Sequence, residues 1–467
     1  MVLLISACES PRLPSLFQAD KIKTSQAPAK ISTPQAPLRP LPDVVAPQKK
    51  YEPMRPAPTV KQSPQPSLSS YLYNRRTKTK GAYTPIPKSS TVRVALLLPL
   101  SGPSAKLGAA MQNAAQLAMF AFADDRFELL VHDTRGTPEG AIDAVGLAIG
   151  DGAYLVLGPL LRASVRAVAP AARAANVTVI AFSSDKSVAG QGVFTMGFHP
   201  EAEVERVVAF SRSRGITRYA VLAPDDEGGR KVVDTLQKAA DFHGVMVSRI
   251  EYYNQYSKDF SGVVRRLANY DERRKALLVQ KEKLKGKSDE ISKRALERLE
   301  KLQTLGDLPF DALLLADGGK RLQAVAALLP FYDIDPGKIR ILGTGRWDVP
   351  GIGAEPALVG GWFAAPLPKA RTEFERQYQE VYGEKPHRLA TLAYDATALA
   401  AVLARAEEGA DFRPSALTIP SGFYGRDGIF RFLKDGSTER GIAVLKVLRH
   451  GFKVIGPAPE TFEASFN

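Results

Sequence analysis

Polar side chains that could bind a small charged ligand follow several apolar segments of the chain. Ligands of open α/β sheets bind beyond the carboxyl ends of the strands, beside the first turns of the helices. Hydroxyl groups and helix N-termini suit a carboxylate, whereas an acidic side chain suits an ammonium group. This rule selects nine candidates for a ligand cleft: Ser101, Ser164, Ser183, Ser184, Asp185, Asp226, Glu227, Gly318 and Arg346. The alternative is that residues such as Ser183 and Asp185 only cap a strand end and begin a turn.

The sequence offers little for catalysis. It contains no Gly-x-Ser-x-Gly elbow and no Gly-x-x-x-x-Gly-Lys phosphate loop. The five histidines lie far apart and show no paired metal-ligand spacing. Asp226 and Glu227 could form a carboxylate pair, but adjacent residues on one turn rarely face a shared substrate. We therefore expect a non-enzymatic protein without a cofactor or a bound metal.

The single cysteine, Cys8, follows Ile5-Ser6-Ala7. One thiol can form neither an internal disulfide nor a metal site alone. The segment resembles a bacterial lipobox, in which the cysteine receives diacylglycerol, although the preceding apolar run is short and lacks a basic region. We therefore expect residues 1–8 to be a truncated lipoprotein signal segment. The resemblance implies a lipid anchor on Cys8, and Glu9 after it implies the outer membrane; a chance cysteine is the alternative.

Residues 9–90 have the composition of a disordered linker. Fifteen of the 34 prolines lie there, among Ser, Gln, Thr and Lys residues that show no apolar period. Such a sequence cannot bury enough surface to offset the entropy of folding. An extended linker of this length would reach on the order of 250 Å.

The formal net charge of +14 is distributed unevenly. Residues 11–90 carry fourteen Lys and Arg against three Asp and Glu, and residues 271–305 carry eleven against seven. A nucleic-acid-binding domain should place its basic patch on the folded part of the chain. Because the excess lies mostly in the predicted linker, we expect no nucleic-acid partner.

Strand and helix patterns alternate from residue 92 onward, which indicates a doubly wound parallel sheet. The predicted order is strand 92–100, helix 108–123, strand 127–132, helix 138–149, strand 153–157, helix 163–175 and strand 177–182. A second set comprises strand 219–223, helix 228–243, strand 245–252, a helix from 260, strand 310–316 and strand 339–342. The sequence therefore predicts two similar α/β lobes.

Several motifs between residues 91 and 455 resemble the type I periplasmic binding proteins of the leucine/isoleucine/valine class. They are Leu98-Pro99-Leu100-Ser101-Gly102-Pro103, Val156-Leu157-Gly158-Pro159, Lys258-Asp259-Phe260-Ser261, Tyr382-Gly383, Tyr394-Asp395-Ala396 and the segment from Gly425 to Phe432. The resemblance implies two Rossmann-like lobes joined by three crossing strands, with a ligand cleft between them.

A narrower resemblance is to the penicillin-binding protein activators of proteobacteria. It lies in the charged insert 271–305, in Asp317-Gly318-Gly319, in Leu342 to Trp347 and in Gly360 to Pro366. The resemblance implies an envelope lipoprotein that contacts a peptidoglycan synthase.

Compared with the amino-acid binders, the cleft is incomplete. Ser164 falls where those proteins hold the ligand carboxylate, but Asp185 replaces a threonine and Leu107 replaces an aromatic residue. The carboxylate that would pair with the ligand's ammonium is replaced near Arg346, which reverses the charge. A buried ammonium without a partner costs several kcal/mol. Tight amino-acid binding is therefore not expected unless Asp185 substitutes.

The charged insert reads as two helices, 272–284 and 288–302, with Ser288 as N-cap of the second. Ile291, Ala295, Leu299 and Leu302 share one apolar face. One interpretation is a solvated hairpin that rests on its own lobe. The other is a docking surface that helps engage the synthase.

These observations predict residues 1–8 as signal segment and 9–90 as linker. The first lobe would comprise 91–198 plus 364–425, and the second 199–363 plus 426–467. The leading hypothesis is a lipid-anchored periplasmic protein, on the inner leaflet of the outer membrane, that activates a penicillin-binding protein by contact. The alternative is a solute-binding protein that delivers an amino acid or another small polar ligand to an ABC transporter.

Overall fold

The computed structural model describes residues 86–462, apart from the side chain of Ala370. Within this range, no helix combines the length and the apolar character needed to cross a membrane. Cys8, the predicted signal segment and residues 9–85 of the predicted linker lie outside the described residues. The lipid anchor and the linker up to residue 85 therefore stay predictions. Ile86, inside the predicted linker, is buried and forms a β-bridge with Ala410, so the predicted end of the linker at residue 90 falls too late.

Strands and helices alternate through most of the described chain. The strands are β1 (Val92–Leu98), β2 (Phe127–Asp133), β3 (Leu155–Leu157), β4 (Thr178–Ala181), β5 (Val193–Thr195), β6 (Arg218–Pro224), β7 (Met246–Tyr253), β8 (Ala312–Leu315), β9 (Arg340–Gly343), β10 (Trp362–Ala365), β11 (Phe423–Gly425), β12 (Gly428–Phe432), β13 (Thr438–Arg440), β14 (Ala443–Val447) and β15 (Phe452–Gly456). The helices are α1 (Ala105–Phe122), α2 (Pro138–Gly150), α3 (Arg162–Ala174), α4 (Pro200–Ser213), α5 (Glu227–His243), α6 (Ser261–Leu267), α7 (Tyr270–Lys285), α8 (Glu290–Glu300), α9 (Gly319–Leu328), α10 (Pro368–Tyr382), α11 (Ala390–Ala404) and α12 (Pro414–Leu417).

The first lobe is built on a five-stranded sheet in the order β2-β1-β3-β4-β5, in which all pairs are parallel. Every residue of β1 except Arg93 is buried, as expected for a strand covered on both faces. Helices α1 and α11 cover one face, and α2 and α3 cover the other. Alanines dominate α11, and this lets it pack closely against α1.

The second lobe is built on a seven-stranded sheet in the order β15-β14-β10-β9-β8-β6-β7. Strands β6 to β10 are parallel, whereas β14 and β15 continue the sheet in antiparallel pairing. Helices α4 and α5 pack on one face, and α6 and α9 pack on the other. Two Rossmann-like lobes are therefore present, and the predicted fold class is confirmed.

Glycines let the helices start close to the strands that precede them. A Cβ atom at Gly108 of α1 would lie 2.1 Å from the carbonyl oxygen of Pro99, and one at Gly229 of α5 would lie 2.0 Å from that of Pro224. Only glycine tolerates such an approach. Corresponding positions in the two lobes thus hold a helix N-terminus directly against a strand end, at the edge of the sheet where a cleft forms.

Three segments join the lobes: residues 195–200, 365–368 and 440–443. A small antiparallel sheet, β11-β12-β13, precedes the third crossing. Phe430 and Phe432 of β12 pack with Phe423 in the core of the first lobe. The predicted boundary after residue 425 therefore falls too early, because residues 428–432 are held in the first lobe by these aromatic side chains.

The charged insert forms a helical hairpin of α7 and α8, which contact each other. Asp289, not Ser288, caps α8: its carboxylate accepts a hydrogen bond from the Ser292 amide at 2.9 Å. The predicted apolar face is only partly covered, since Ala295 and Leu299 are half-buried, whereas Ile291 is 82% exposed and Leu302, beyond the end of α8, is 45% exposed. Helical spacing identified one side of α8 but could not show what covers it.

Candidate functional site

An ion pair joins the two lobes at the carboxyl ends of their strands. Arg162 begins α3 in the first lobe, and Glu227 begins α5 in the second. The Nη2 atom of Arg162 donates to Oε2 of Glu227 at 3.0 Å, and Nη1 donates to Oε1. Nη1 also lies 3.3 Å from Oδ2 of Asp185, in the first lobe. The guanidinium therefore bridges one carboxylate from each lobe.

This pair shifts the protonation equilibria of its members in the direction expected for opposite charges. The hydrogen bonds with Glu227 raise the pKa of Arg162, and those with Arg162 lower the pKa of Glu227. Burial tends to raise the pKa of Asp185, but its hydrogen bonds with Ser187 and Arg162 outweigh burial and lower it. All members are charged near neutral pH. The Arg162 side chain is 42% exposed and that of Glu227 is 73% exposed, so solvent screens their attraction.

Further charges line the second-lobe wall of this cleft. Lys231 of α5 forms an ion pair with Glu201 of α4, with 2.8 Å between Nζ and Oε1. The Lys231 charge also lowers the pKa of Asp185 across the cleft. Burial tends to raise the pKa of Glu201, but the hydrogen bond with Lys231 outweighs it and lowers the pKa. The cleft walls thus carry alternating charges that the protein itself pairs.

Several predicted ligand-binding residues are engaged in local structure. The buried Ser164 hydroxyl donates to the carbonyl of Thr137 at 3.2 Å. The Ser183 hydroxyl accepts from the Asp185 amide at 3.1 Å, and the Asp226 carboxylate caps α5 by accepting from the Gly229 amide. The Asp185 carboxylate accepts from the Ser187 amide at 2.9 Å, so Ser183, Asp185 and Asp226 each begin a turn or cap a helix.

Two of the remaining candidates belong to a separate cluster in the second lobe, around Asp317. The Asp317 carboxylate accepts from the hydroxyl of Tyr253 at 2.5 Å and from Nε of Arg321 at 2.8 Å. Gly318 donates its amide to the same carboxylate, and Nη2 of Arg346 lies 3.6 Å from it. Burial and the hydrogen bond with the Asp317 carboxylate raise the pKa of the Tyr253 hydroxyl. Gly318 and Arg346 thus surround a carboxylate that the protein already neutralises.

The other two candidates occupy the first lobe. The Ser101 side chain is exposed, and its amide donates to Oδ1 of Asp133 at 3.2 Å. The Ser184 carbonyl accepts a hydrogen bond from Nδ1 of His199 at 2.9 Å. Arg162, which connects Asp185 with Glu227, was not among the candidates. Its position in the first helical turn after β3 was the available signal.

A second charged network, which the sequence analysis did not identify, is buried where the lobes are hinged. Asp348 of the second lobe accepts two hydrogen bonds from Arg371 of α10, one of them between Nη2 and Oδ1 at 2.8 Å. Nε of Arg388 lies 3.4 Å from Asp348, and its Nη2 lies 2.8 Å from Asp427. Burial would lower the pKa of Arg388, but the two carboxylates outweigh it and raise it. A continuous chain of charges therefore connects the lobes internally.

Two buried carboxyl groups beside this network bind protons more tightly than usual. Burial raises the pKa of Glu203 to about 7, although the Gly345 amide donates to it at 2.8 Å. Burial, together with the nearby Asp427 charge, raises the pKa of Asp395 to about 7. Burial lowers the pKa of His199 to about 4, so this imidazole is neutral at neutral pH. The hinge therefore contains groups whose charge depends on pH.

Apart from the cleft and the hinge, the described residues form one further small cavity of note. A cavity of about 280 Å³ opens on the first lobe, lined by residues 190–194 and by Pro414, Ser415, Thr418, Lys434 and Gly436. Between residues 86 and 462, no group of three or more His, Cys, Asp or Glu side chains is placed to hold a metal ion. At the predicted position of the ligand, the main feature is the ion pair of Arg162 with Glu227 and Asp185, which connects the two lobes.

The sequence and the fold identify the class of this protein. Residues 91–451 match the family described as periplasmic binding protein, and the chain belongs to that family. The structure is also similar to that of a putative branched-chain amino acid ABC transporter protein from Rhodospirillum rubrum, with a TM-score of 0.62 and 19% identity. That similarity covers 78% of this chain and 100% of the other, and it shows the shared fold.

Two penicillin-binding protein activators, both called LpoA, are similar to parts of the chain. The protein from Mannheimia succiniciproducens is 25% identical over 189 residues, which are 40% of this chain and 32% of that protein. The protein from Glaesserella parasuis is 29% identical over 163 residues, which are 35% of this chain and 27% of that protein. The chain thus matches 32% and 27% of the length of these two relatives.

Proposed function

We propose that this protein activates a penicillin-binding protein by direct contact in the periplasm. The observation that carries the proposal is the similarity to two LpoA proteins, each of which is called a penicillin-binding protein activator. In this proposal the protein catalyses no reaction itself and acts only by binding the synthase. Lipid on Cys8 and the proline-rich segment 9–90 would tether the two lobes to the inner leaflet of the outer membrane.

The cleft supports this function more than solute transport. Arg162 of the first lobe is bound to Glu227 of the second, and Asp185 lies within 3.3 Å of the same guanidinium. A solute with an ammonium group would have to compete with this guanidinium for the two carboxylates. Ser164, the residue that resembles a carboxylate-binding hydroxyl, donates to Thr137 instead. The lobes are therefore held together by side chains, a role that a ligand would otherwise fill.

The proposal predicts measurable activation. The purified full-length chain, mixed with penicillin-binding proteins of its own bacterium, should retain one of them in a pull-down. It should also raise that enzyme's rate of glycan polymerisation or peptide crosslinking. An amino-acid-binding protein of the same family is the control and should do neither. Absence of both retention and stimulation with every bifunctional penicillin-binding protein of the organism would contradict the proposal.

The second candidate function is delivery of a small polar ligand to an ABC transporter. The family fold and the similarity to a branched-chain amino acid transporter protein favour it. A tight ligand at a hundred times its dissociation constant would stabilise the protein by about 2.7 kcal/mol. A thermal shift of several degrees with one amino acid, in a protein that fails to bind any synthase, would establish this alternative.

A further inference from the structure

One helix of the charged hairpin leaves an apolar pair uncovered between rows of charged residues. Leu278 is 53% exposed and Val279 is 47% exposed. Residues four apart are neighbours on a helix surface, so each of these side chains lies between charged residues of its own row. We call the two rows the outer face of α7; its members are Arg274, Lys275, Leu278, Val279, Glu282 and Lys283.

The opposite side of α7 anchors the hairpin to its own lobe. Leu277 is fully buried, and Arg273 forms an ion pair of 2.8 Å with Asp333. Arg273 also donates to the carbonyl of Gly306, and the Leu305 amide donates to the carbonyl of Arg273. These contacts fix the base of the hairpin. The outer face is therefore held in place and all its members are exposed, although Arg274 donates to the carbonyl of Gln303 at 2.7 Å.

The charges on the outer face favour an acidic partner. Among residues 86–462, neither Lys275 nor Lys283 has an ion-pair partner, whereas Glu282 lies 3.3 Å from Lys285. The insert as a whole carries eleven basic and seven acidic residues. Two apolar side chains at the centre, with Lys275 and Lys283 at the edge, match the pattern of a protein interface, in which an apolar centre is surrounded by a polar, charged rim.

We propose that the outer face of α7 docks on the penicillin-binding protein, at an apolar patch bordered by Asp and Glu side chains. This inference rests on the proposed function and assigns its contact surface. A protein partner fits better than an anionic membrane, because helices that lie on membranes bury a broad apolar face opposite a strongly basic one, whereas only Leu278 and Val279 are apolar on this face. Residues 271–305 contain no aromatic residue, and acidic side chains are interspersed among the basic ones.

A matched pair of double variants tests the docking face. Leu278→Ser with Val279→Ser removes the apolar centre, whereas Leu147→Ser with Val381→Ser makes the same replacements on exposed helical positions elsewhere. Leu147 is 60% exposed and Val381 is 61% exposed. The first variant should bind the synthase at least about tenfold more weakly, and the second should bind like the wild type. Both should keep the wild-type melting temperature, because neither pair is buried.

The lysines give an independent measurement. Lys275→Glu with Lys283→Glu should weaken synthase binding at low salt, and the loss should shrink as the salt concentration rises.

Equal synthase affinity of the wild type and the Leu278→Ser, Val279→Ser variant would overturn the docking face and leave the proposed function intact. A wild-type chain that binds no synthase would overturn both. If the Leu278→Ser, Val279→Ser variant kept synthase binding but no longer bound vesicles of phosphatidylcholine and phosphatidylglycerol that the wild type binds, this face would instead be assigned to a membrane.

Discussion

The two lobes are connected by charges at two places that differ in their exposure to water. At the cleft, Arg162 and Glu227 meet at the surface, where their side chains are 42% and 73% exposed. At the hinge, Asp348 is 1% exposed and its partner Arg371 is 10% exposed. Surface ion pairs contribute about 0–1 kcal/mol, whereas breaking a buried pair costs about 3–5 kcal/mol. The same chemistry therefore fixes the lobes at the hinge and only biases their separation at the cleft.

The buried ion pairs at the hinge stabilise the folded state, whereas the exposed ion pair at the cleft allows the distance between the lobes to change. The buried hinge network has to remain paired, because an uncompensated charge there has no access to solvent. The cleft pair can open at little cost, since water can solvate each partner. A change in the separation of the lobes should thus begin at the cleft and leave the hinge charges paired.

The largest effect should come from Asp348→Ala. Removing this carboxylate leaves the buried guanidinium of Arg371 with only the partly exposed Glu375, 3.3 Å away, and Arg388 with one carboxylate fewer. We expect the free energy of unfolding, measured by urea denaturation, to fall by about 3–5 kcal/mol. Glu373→Ala, which removes an exposed partner of Arg376 on α10, is the control and should change it by less than about 1 kcal/mol. A loss at Asp348 no larger than that at Glu373 would contradict the contrast between hinge and cleft.

Much of the fold could be predicted because its signals are local. The uninterrupted apolar run of β1 indicated a strand covered on both faces, and the predicted helix 228–243 differs from α5 by one residue at its start. Asp185 and Glu227 were identified at the cleft because strand ends are set by the same local pattern. Their common partner, Arg162, was missed, because no local pattern shows that a guanidinium at the start of α3 reaches a carboxylate of the other lobe.

The hinge network could not be predicted from the sequence. Its members come from separate elements, since Asp348 follows β9, Arg371 lies on α10 and Asp427 lies in the turn after β11. Each charged residue, taken alone, has the pattern of a solvent-exposed position, and only the meeting of the crossing segments buries them. Asp395 was noted as part of a family motif, but burial beside Asp427 raises its pKa, and no spacing in the sequence reveals that.

The next effect concerns pH and is specific to the hinge. Burial raises the pKa of Glu203 from 4.5 to about 7, so the folded state binds this proton more tightly than the unfolded state. Its contribution to stability is complete below pH 4.5 and is lost as the pH rises towards 7, a total of about 3 kcal/mol. Glu203→Gln cannot titrate. The stability of this variant relative to the wild type should therefore rise by about 2–3 kcal/mol between pH 5 and pH 8.

Urea denaturation at both pH values measures this difference. His199, whose lowered pKa makes stability rise with pH between about 4 and 6.5, titrates in both proteins. The contributions of His199 and Asp395 to the pH dependence of the free energy of unfolding therefore cancel when Glu203→Gln is compared with the wild type. Glu297→Gln, which changes an exposed carboxylate on α8 that has no ion-pair partner among residues 86–462, should give no pH-dependent difference. If both glutamine variants follow the wild type at all pH values, Glu203 does not titrate in this range.

The smallest effect on stability should come from the cleft pair, although its effect on shape should be clear. Arg162→Ala removes the connection from the first lobe to Glu227, and we expect the free energy of unfolding to change by less than about 1 kcal/mol. The distance between the lobes should increase, as measured by electron spin resonance with labels at the exposed positions Lys106 and Lys238. Raising the salt concentration to about 1 M, where the Debye length is about 3 Å, should widen the wild-type cleft in the same direction.

The control for the cleft is Arg230→Ala, which breaks an exposed ion pair with Asp225 inside the second lobe. It should leave the distance between the lobes and its salt dependence unchanged. In Arg162→Ala the salt dependence should disappear, because the screened contact is no longer present. A wild-type distance that is insensitive to salt and to Arg162→Ala would mean that the hinge alone sets the separation of the lobes. The cleft pair would then be a consequence of closure, and the open and closed forms would differ in the hinge segments instead.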